Sequence, residues 1–219
     1  MRTRRVPICA LVSGGLDSAV LLHRLLEDGH PVLPLYLRCG FRWERAEVYW
    51  LRRFLAATRA PRRMPIAIID LPLRSVYGAH WSLTGRRIPG PSSPDSAVYL
   101  PGRNLLLISA AALVCVRRRI STIALGILKG NPFGDASPRF FAQLAASLSE
   151  ALGRPLRILS PIARVSKAQL LCRAQQLPLA LTFSCLNPRG RFHCGRCNKC
   201  AERQRAFRLA SVPDLTRYA

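Results

Sequence analysis

The stretch Cys9-Ala10-Leu11-Val12-Ser13-Gly14-Gly15-Leu16-Asp17-Ser18 constrains this chain more than any other. The apolar run Ile8 to Val12 reads as a buried strand, and Leu21, Leu22, Leu25 and Leu26 recur behind it at helical spacing, so SGGLDS is a strand-to-helix turn. Gly14 and Gly15 permit a tight turn that brings bare N–H groups inward. The helix that follows adds unpaired N-terminal donors and the positive end of its dipole. Such a turn binds phosphate. Ser13 and Ser18 add hydroxyl donors, while Asp17 is the odd member. A carboxylate beside a phosphate is repulsive unless a divalent cation sits between them, which makes Asp17 a candidate Mg²⁺ ligand. The plainer reading is a turn of small residues capped by Ser or Asp.

Beyond this turn, strand-like and helix-like segments alternate, which predicts a parallel sheet with helices on both faces. Gly29 stops the first helix and Val32 to Leu37 reads as a strand. A helix from about Arg42 to Thr58 follows, with Val48, Leu51, Phe54 and Leu55 on one face. Ile66 to Ile69 is a short strand, and Asp70 just past it is placed either to meet a ligand or to cap the next segment. Arg74 to Val98, rich in Pro, Gly and Ser, reads as a long loop. Tyr99-Leu100-Pro101-Gly102-Arg103-Asn104 leads into an apolar helix, Leu105 to Val116, and puts Arg103 and Asn104 at an anion-binding helix start. Ile120 to Leu125 is a strand ending at Gly126. Ser137 and Pro138 open a helix reaching about Leu152, Leu156 to Leu159 is the last strand, and Ser166 caps a helix carrying Lys167, Leu170 and Leu171.

At 219 residues the chain can bury one good core with a small appended element. No apolar stretch reaches the roughly 20 residues that span a bilayer. The start MRTRRVPICALVSGG runs from basic residues straight into the turn and does not read as a signal peptide, so a cytoplasmic setting is expected. The net charge of +23 invites a nucleic-acid reading. Its arginines are scattered rather than gathered in one block, however, and RNA binding is not favoured. The eleven acidic residues are the more informative set.

The C-terminal run SCLNPRGRFHCGRCNKC places Cys185, Cys194, Cys197 and Cys200 within sixteen residues, with two overlapping C-x-x-C turns. Four thiolates at this spacing can close tetrahedrally around one structural Zn²⁺ per chain. A reducing compartment argues against disulfides, and an iron–sulfur cluster is the minor alternative. His193 could replace a thiolate, but four cysteines already fill the shell. Cys9, Cys115 and Cys172 lie on apolar segments and read as small buried hydrophobes. Cys39 ends a strand near the phosphate turn and is either packing or a reactive thiol.

With SGGLDS, YLPGRN, SPIARVSKAQLL, TFSC and the spaced cysteines in order, the chain resembles the 7-cyano-7-deazaguanine synthase family of ATP pyrophosphatases over nearly its whole length. The resemblance implies a Rossmann-like α/β fold of the adenine nucleotide alpha hydrolase-like type. Residues 1–180 would form the ATP-binding part and 181–219 the zinc-binding element. It further implies Mg²⁺ with ATP, one Zn²⁺, and conversion of 7-carboxy-7-deazaguanine with ammonia to the nitrile, on the route to a modified tRNA guanine. By matching position, Ser13, Gly14, Gly15, Leu16, Asp17 and Ser18 would bind ATP. Asp17, Arg103 and Lys167 would be catalytic, and Arg42, Asn104 and Asp135 would meet substrate. Cys185, Cys194, Cys197 and Cys200 match the zinc ligands. Two departures stand out: Phe41 and Trp43 replace the family's glutamine and histidine, and Ser137 stands where the family has arginine.

The implied chemistry is attack of a substrate carboxylate on the α-phosphate, giving an acyl-adenylate that ammonia opens, with a second ATP activating the amide for dehydration. Catalysis would rest on positioning and charge neutralisation. Expected partners are ATP, ammonia and a small heteroaromatic carboxylate; a homodimer is compatible with such a chain. A relative adenylating another acid or an RNA or protein carbonyl, or transferring sulfur through Cys39, is the alternative enzyme. A basic zinc-containing RNA-binding module is the alternative outside catalysis.

Overall fold

A computed structural model describes residues 5–219; the first four residues of the basic N-terminal stretch lie outside it. Among the described residues, β1 (Ile8–Leu11), β2 (Val32–Arg38), β3 (Ala67–Asp70), β4 (Thr122–Ala124) and β5 (Arg157–Leu159) form one sheet in the order β3-β2-β1-β4-β5. All neighbouring pairs are parallel. Parallel neighbours require crossovers, and these are α1 (Leu16–Glu27), α2 (Glu44–Ala57), α5 (Arg103–Arg118) and α6 (Pro138–Ala151). Alternation along β1 and β2 fills both faces. Ile8, Ala10, Val12, Val32 and Tyr36 join the core with α1 and α2. Cys9, Leu33, Leu35 and Leu37 join the core under α5 and α6. Strands buried on both faces explain the near-continuous apolar runs in the sequence.

The chain order reverses at β1, whose neighbours are β2 and β4, so the carboxyl ends of these strands open a crevice there. After β5, α7 (Lys167–Arg173) and α8 (Asn198–Ala210) return to the α1 face, where Leu170, Leu171, Ala206 and Phe207 enter the same core. A third core gathers the four C-terminal cysteines with Trp43, Val98, Phe183 and Leu186.

Three expectations are corrected. The segment 74–98 is not one loop: α3 (Arg74–Tyr77), α4 (Trp81–Thr84) and a 3₁₀ turn at Asp95–Val98 organise it, with Leu73 buried and His80 accepting the Ser82 N–H. Cys172 is exposed, because helical spacing turns Leu170, Leu171 and Ala174 inward and Cys172 away. Among the described residues Asp70 caps no helix and lies outside the lining of the crevice cavity; it forms a surface pair with Arg38 at 3.4 Å. Among the described residues, no helix is long and apolar enough to cross a membrane.

Candidate active site

The crevice holds a cavity of about 320 Å³. Its floor is the SGGLDS turn. Gly14 has φ +80°, and a Cβ there would lie 3.1 Å from Leu51 Cβ, so this position needs glycine for both conformation and space. The turn is internally laced: Gly15 N–H donates to Ser13 Oγ at 3.3 Å, and Ser18 Oγ–H donates to the Gly15 carbonyl at 3.1 Å. No side chain caps α1 at Gly15, which leaves the first helical donors facing the crevice. Gly126, after β4, passes so close to this first turn that a Cβ would sit 2.9 Å from the Asp17 carbonyl carbon.

A charge cluster closes the phosphate end. Lys167 Nζ lies 3.5 Å from Asp17 Oδ2 and donates to Glu202 Oε1, while Lys199 Nζ donates to Glu202 Oε2 at 2.5 Å. Burial alone would raise Glu202, but Lys167 and Lys199 outweigh it and hold its carboxyl at about 2. Burial would likewise lower Lys167, and Asp17 with Glu202 reverses that and raises it. Asp17 itself is raised by burial, against the pull of Lys167. Its Oδ1 is shut off from solvent and has no hydrogen-bond partner among the described residues. An orphaned carboxylate oxygen beside a phosphate turn fits a cation brought in with the nucleotide.

Aromatic rings form another part of the lining. Tyr99 stacks on Phe133 with ring centroids 4.8 Å apart, and Phe41 stacks on Trp43 at 5.0 Å; all four rings line the cavity. Arg103 and Asn104 line it too, from the start of α5. Asp135 does not cap the helix at Pro138. Its Oδ2 accepts the Asn104 N–H at 3.0 Å and so caps α5, while Ser137 caps α6 through the Phe140 N–H at 3.1 Å. Arg42 lies outside the cavity lining, running along Gly85 with its Nε donating to Asn187 Oδ1 at 3.1 Å. Cys39 is buried in the wall, its thiol donating to the Leu37 carbonyl and pushed up by burial to about 12. That suits packing and not a reactive thiolate.

Beside the cavity, the sulfurs of Cys185, Cys194, Cys197 and Cys200 all lie within 4.8 Å of one another and could hold a metal ion. Backbone N–H groups of Cys194 and Asn187 donate to the Cys185 sulfur at 3.2 and 3.3 Å, and Leu186 N–H donates to the Cys197 sulfur at 3.4 Å. Such bonds favour thiolates. His193 is not in this group: its Nε2 accepts the Ser184 N–H at 3.2 Å, and burial with nearby Arg203 holds the ring neutral, down to about 3.

Sequence reasoning missed Glu47, Lys199 and Glu202, which also line the cavity. The signal available was the scarcity of acids: of eleven in the chain, Asp17, Glu47, Asp135 and Glu202 converge here.

The family model described as "Queuosine biosynthesis protein QueC" matches residues 8–211. This chain belongs to the QueC family. It is 31% identical over 230 residues to the 7-cyano-7-deazaguanine synthase of Rhizobium leguminosarum bv. trifolii, covering 98% of this chain and 92% of that one. To the enzyme of the same name from Methanothrix thermoacetophila it is 32% identical over 224 residues, covering 95% and 96%. Among solved structures, a 4-thiouridine synthetase–RNA complex with bound ATP superposes with a TM-score of 0.54 at 14% identity, over 94% of this chain and 50% of that one. A predicted subunit of tRNA methyltransferase from Methanocaldococcus jannaschii gives 0.50 at 16%, over 77% and 74%. These two likenesses establish the fold alone.

Proposed function

We propose that this QueC-family chain is an ATP-dependent carbon–nitrogen ligase that adenylates 7-carboxy-7-deazaguanine and uses ammonia to form 7-cyano-7-deazaguanine. The observation that carries it is one cavity lined by two chemically distinct sets of groups. One is an uncapped helix start with Lys167, and the other is paired aromatic rings with Asn104 and Asp135. The first suits a triphosphate and the second a flat heterocycle. Between them, the α-phosphate and the substrate carboxylate would meet.

In this reading Ser13, Gly14, Gly15, Leu16 and Ser18 cradle the pyrophosphate that leaves, and Lys167 and Arg103 offset the charge that develops on phosphorus. Asp17 Oδ1 is the atom that would hold Mg²⁺, which when bound with ATP neutralises the phosphates. Asn104 and Asp135 would read the ring edge, since an analogue lacking the donors would leave a buried acceptor unpaired. Phe41 and Trp43, departures from the family pattern, add ring surface for stacking. Arg42 does not reach the cavity and would act only after a rearrangement.

Zinc is the metal that fits the cysteines. The Cys194–Cys200 and Cys185–Cys197 sulfur pairs are each 3.9 Å apart. Four thiolates at about 2.3 Å from one Zn²⁺ in a tetrahedron stand about 3.8 Å from each other. An iron–sulfur core would hold its cysteines farther apart. With every ligand a cysteine no position is open, so the role is structural; residues 181–219 form the metal-bearing element and 1–180 the nucleotide-binding part.

The test is incubation with 7-carboxy-7-deazaguanine, Mg²⁺-ATP and ammonium, followed by mass spectrometry. Amide and nitrile are the expected products, with loss of pyrophosphate release in an Asp17→Ala variant that remains folded. Neither product from folded, zinc-loaded protein refutes the substrate. Wild-type turnover in Asp17→Ala refutes the metal assignment.

A further inference from the structure

The cavity's other carboxylates each have a charged or helix-start partner. Asp17 and Glu202 face lysines, and Asp135 takes a helix-start N–H. Glu47 is different. Sitting in α2, it brings its carboxyl to the cavity wall with no cation within ion-pair distance and no backbone donor among the described residues. Its one hydrogen bond is from the Tyr36 phenol to Oε2 at 2.7 Å, and Oε1 accepts none. This turn of α2 abuts the phosphate turn: the Glu47 carbonyl oxygen lies 3.3 Å from where a Gly14 Cβ would be. The neighbouring Glu44 is already engaged, accepting the Gly40 N–H at 2.8 Å and facing Arg38 at 3.8 Å.

A carboxylate oxygen left free at a cavity wall suits a small cation rich in N–H donors. We infer that Glu47 binds ammonium beside the phosphate turn and is the base that frees ammonia for attack on the acyl-adenylate. The inference rests on the ligase reading above. One N–H bond of ammonium breaks and its proton passes to Glu47 Oε1. The released lone pair forms a C–N bond at the acyl carbon, and the carbon–oxygen bond to the adenylate breaks as AMP leaves with its electron pair. The nitrogen's surplus proton goes to solvent, and Glu47 then gives its own proton to solvent. A carboxyl of ordinary acidity would be a poor base for this. Burial, opposed in part by the Tyr36 hydrogen bond and the Arg103 charge and reinforced by Glu44, pushes Glu47 up to about 8. Cys39, the other titratable neighbour on this wall, is held as the neutral thiol.

The experiment pairs an ion-specific binding readout with kinetics. Thermal unfolding of the full chain is followed at a pH above about 8, where the Glu47 carboxyl is ionised, in ammonium chloride and in sodium chloride at equal ionic strength, for wild type and Glu47→Gln. The expected result is a higher wild-type melting temperature in ammonium, with the difference absent in Glu47→Gln. In turnover, the KM for ammonium rises about tenfold or more in Glu47→Gln, while that for Mg²⁺-ATP changes far less. Equal stabilisation by both salts, or an ammonium effect that survives in Glu47→Gln, overturns the inference. The melting comparison needs no turnover, so it stands even if 7-carboxy-7-deazaguanine proves not to be the substrate. If Glu47→Gln does not fold, Tyr36→Phe replaces it. Removing the phenol raises Glu47 further and moves the rising limb of the pH–rate profile to higher pH, and an unmoved limb overturns the assignment.

Discussion

Lys167 is held between two carboxylates, and an incoming triphosphate must compete with them. Glu202 bridges Lys167 and Lys199, so replacing it by glutamine leaves two half-buried ammonium groups facing Asp17 alone. Breaking one member of such a cluster costs stability because the remaining charge loses its partner. Phosphate would restore the balance. Glu202→Gln is therefore expected to lower the melting temperature of the free protein and to enlarge the rise produced by Mg²⁺-ATP, both read by thermal unfolding. An ATP-induced rise no larger than that of wild type counts against Lys167 as the phosphate ligand. The two half-buried glutamates also set opposite pH dependences. Glu202 is lowered from 4.5 to about 2, so its contribution is complete above about 4.5 and is lost as pH falls toward 2. Glu47 is raised from 4.5 to about 8, so the native state binds the extra proton and stability declines as pH climbs through that interval. In ammonium-free buffer Glu47→Gln should gain on wild type between pH 5 and pH 8, a difference measurable by chemical denaturation.

At the scale of elements, the helix starts divide into closed and open ones. The first turn of α5 is closed by Asp135, that of α6 by Ser137, and that of α7 by a reciprocal Ser166–Gln169 box. That of α1 is left open at the cavity floor. Ser137 thus holds its position through the backbone. Ser137→Ala should cost about 1 kcal/mol in denaturant unfolding with pyrophosphate release retained. Asp135→Ala should cost a similar amount through α5 and also cut turnover, because the same carboxylate lines the cavity; full turnover would leave it only the capping role. Elements with strong local signals were legible in the sequence. Ile8 to Val12, the turn glycines, Ser137-Pro138 and Ser166 each encode a strand, turn or cap within a few residues. Glu47 was not legible, because a glutamate on the mixed face of α2 looks the same whether it meets water or a cavity. Nor were Lys199 and Glu202, whose role depends on α8 packing onto α7, a contact no local pattern encodes. The Pro- and Gly-rich run at 74–98 hid α3 and α4, since single turns anchored by one buried leucine carry no periodicity.

Across the whole molecule, the cysteine element and the phosphate turn are mechanically one unit. The Phe183 N–H donates to the Gly14 carbonyl at 2.7 Å, two residues before the first cysteine. Cys200 opens onto Glu202 and onto Arg203, which is 1% exposed and donates to Thr182 Oγ1 and the Leu179 carbonyl, both at 2.9 Å, and to Thr216 Oγ1 at 2.8 Å. Asn198 reaches the other way, to the Pro89 and Ser93 carbonyls at 2.9 and 2.8 Å, so the segment leading to the cavity-lining Val98 and Tyr99 is tied to the same knuckle. Structural Zn²⁺ contributes roughly 10–16 kcal/mol of apparent binding free energy in small modules, comparable to a domain's whole margin of about 5–15 kcal/mol. Metal removal should therefore act at the phosphate site and not only on the C-terminal segment. Chelation, or Cys197→Ser, is expected to abolish the stabilisation by Mg²⁺-ATP and to speed amide hydrogen exchange at 182–186, at 88–98 and in the first turn of α8. Exchange in β1, β2 and β4 should change least, because their two-sided cores do not include the cysteines. Retained ATP stabilisation in metal-free protein would show that the nucleotide site stands without the knuckle, and would return Lys199 and Glu202 to a surface role.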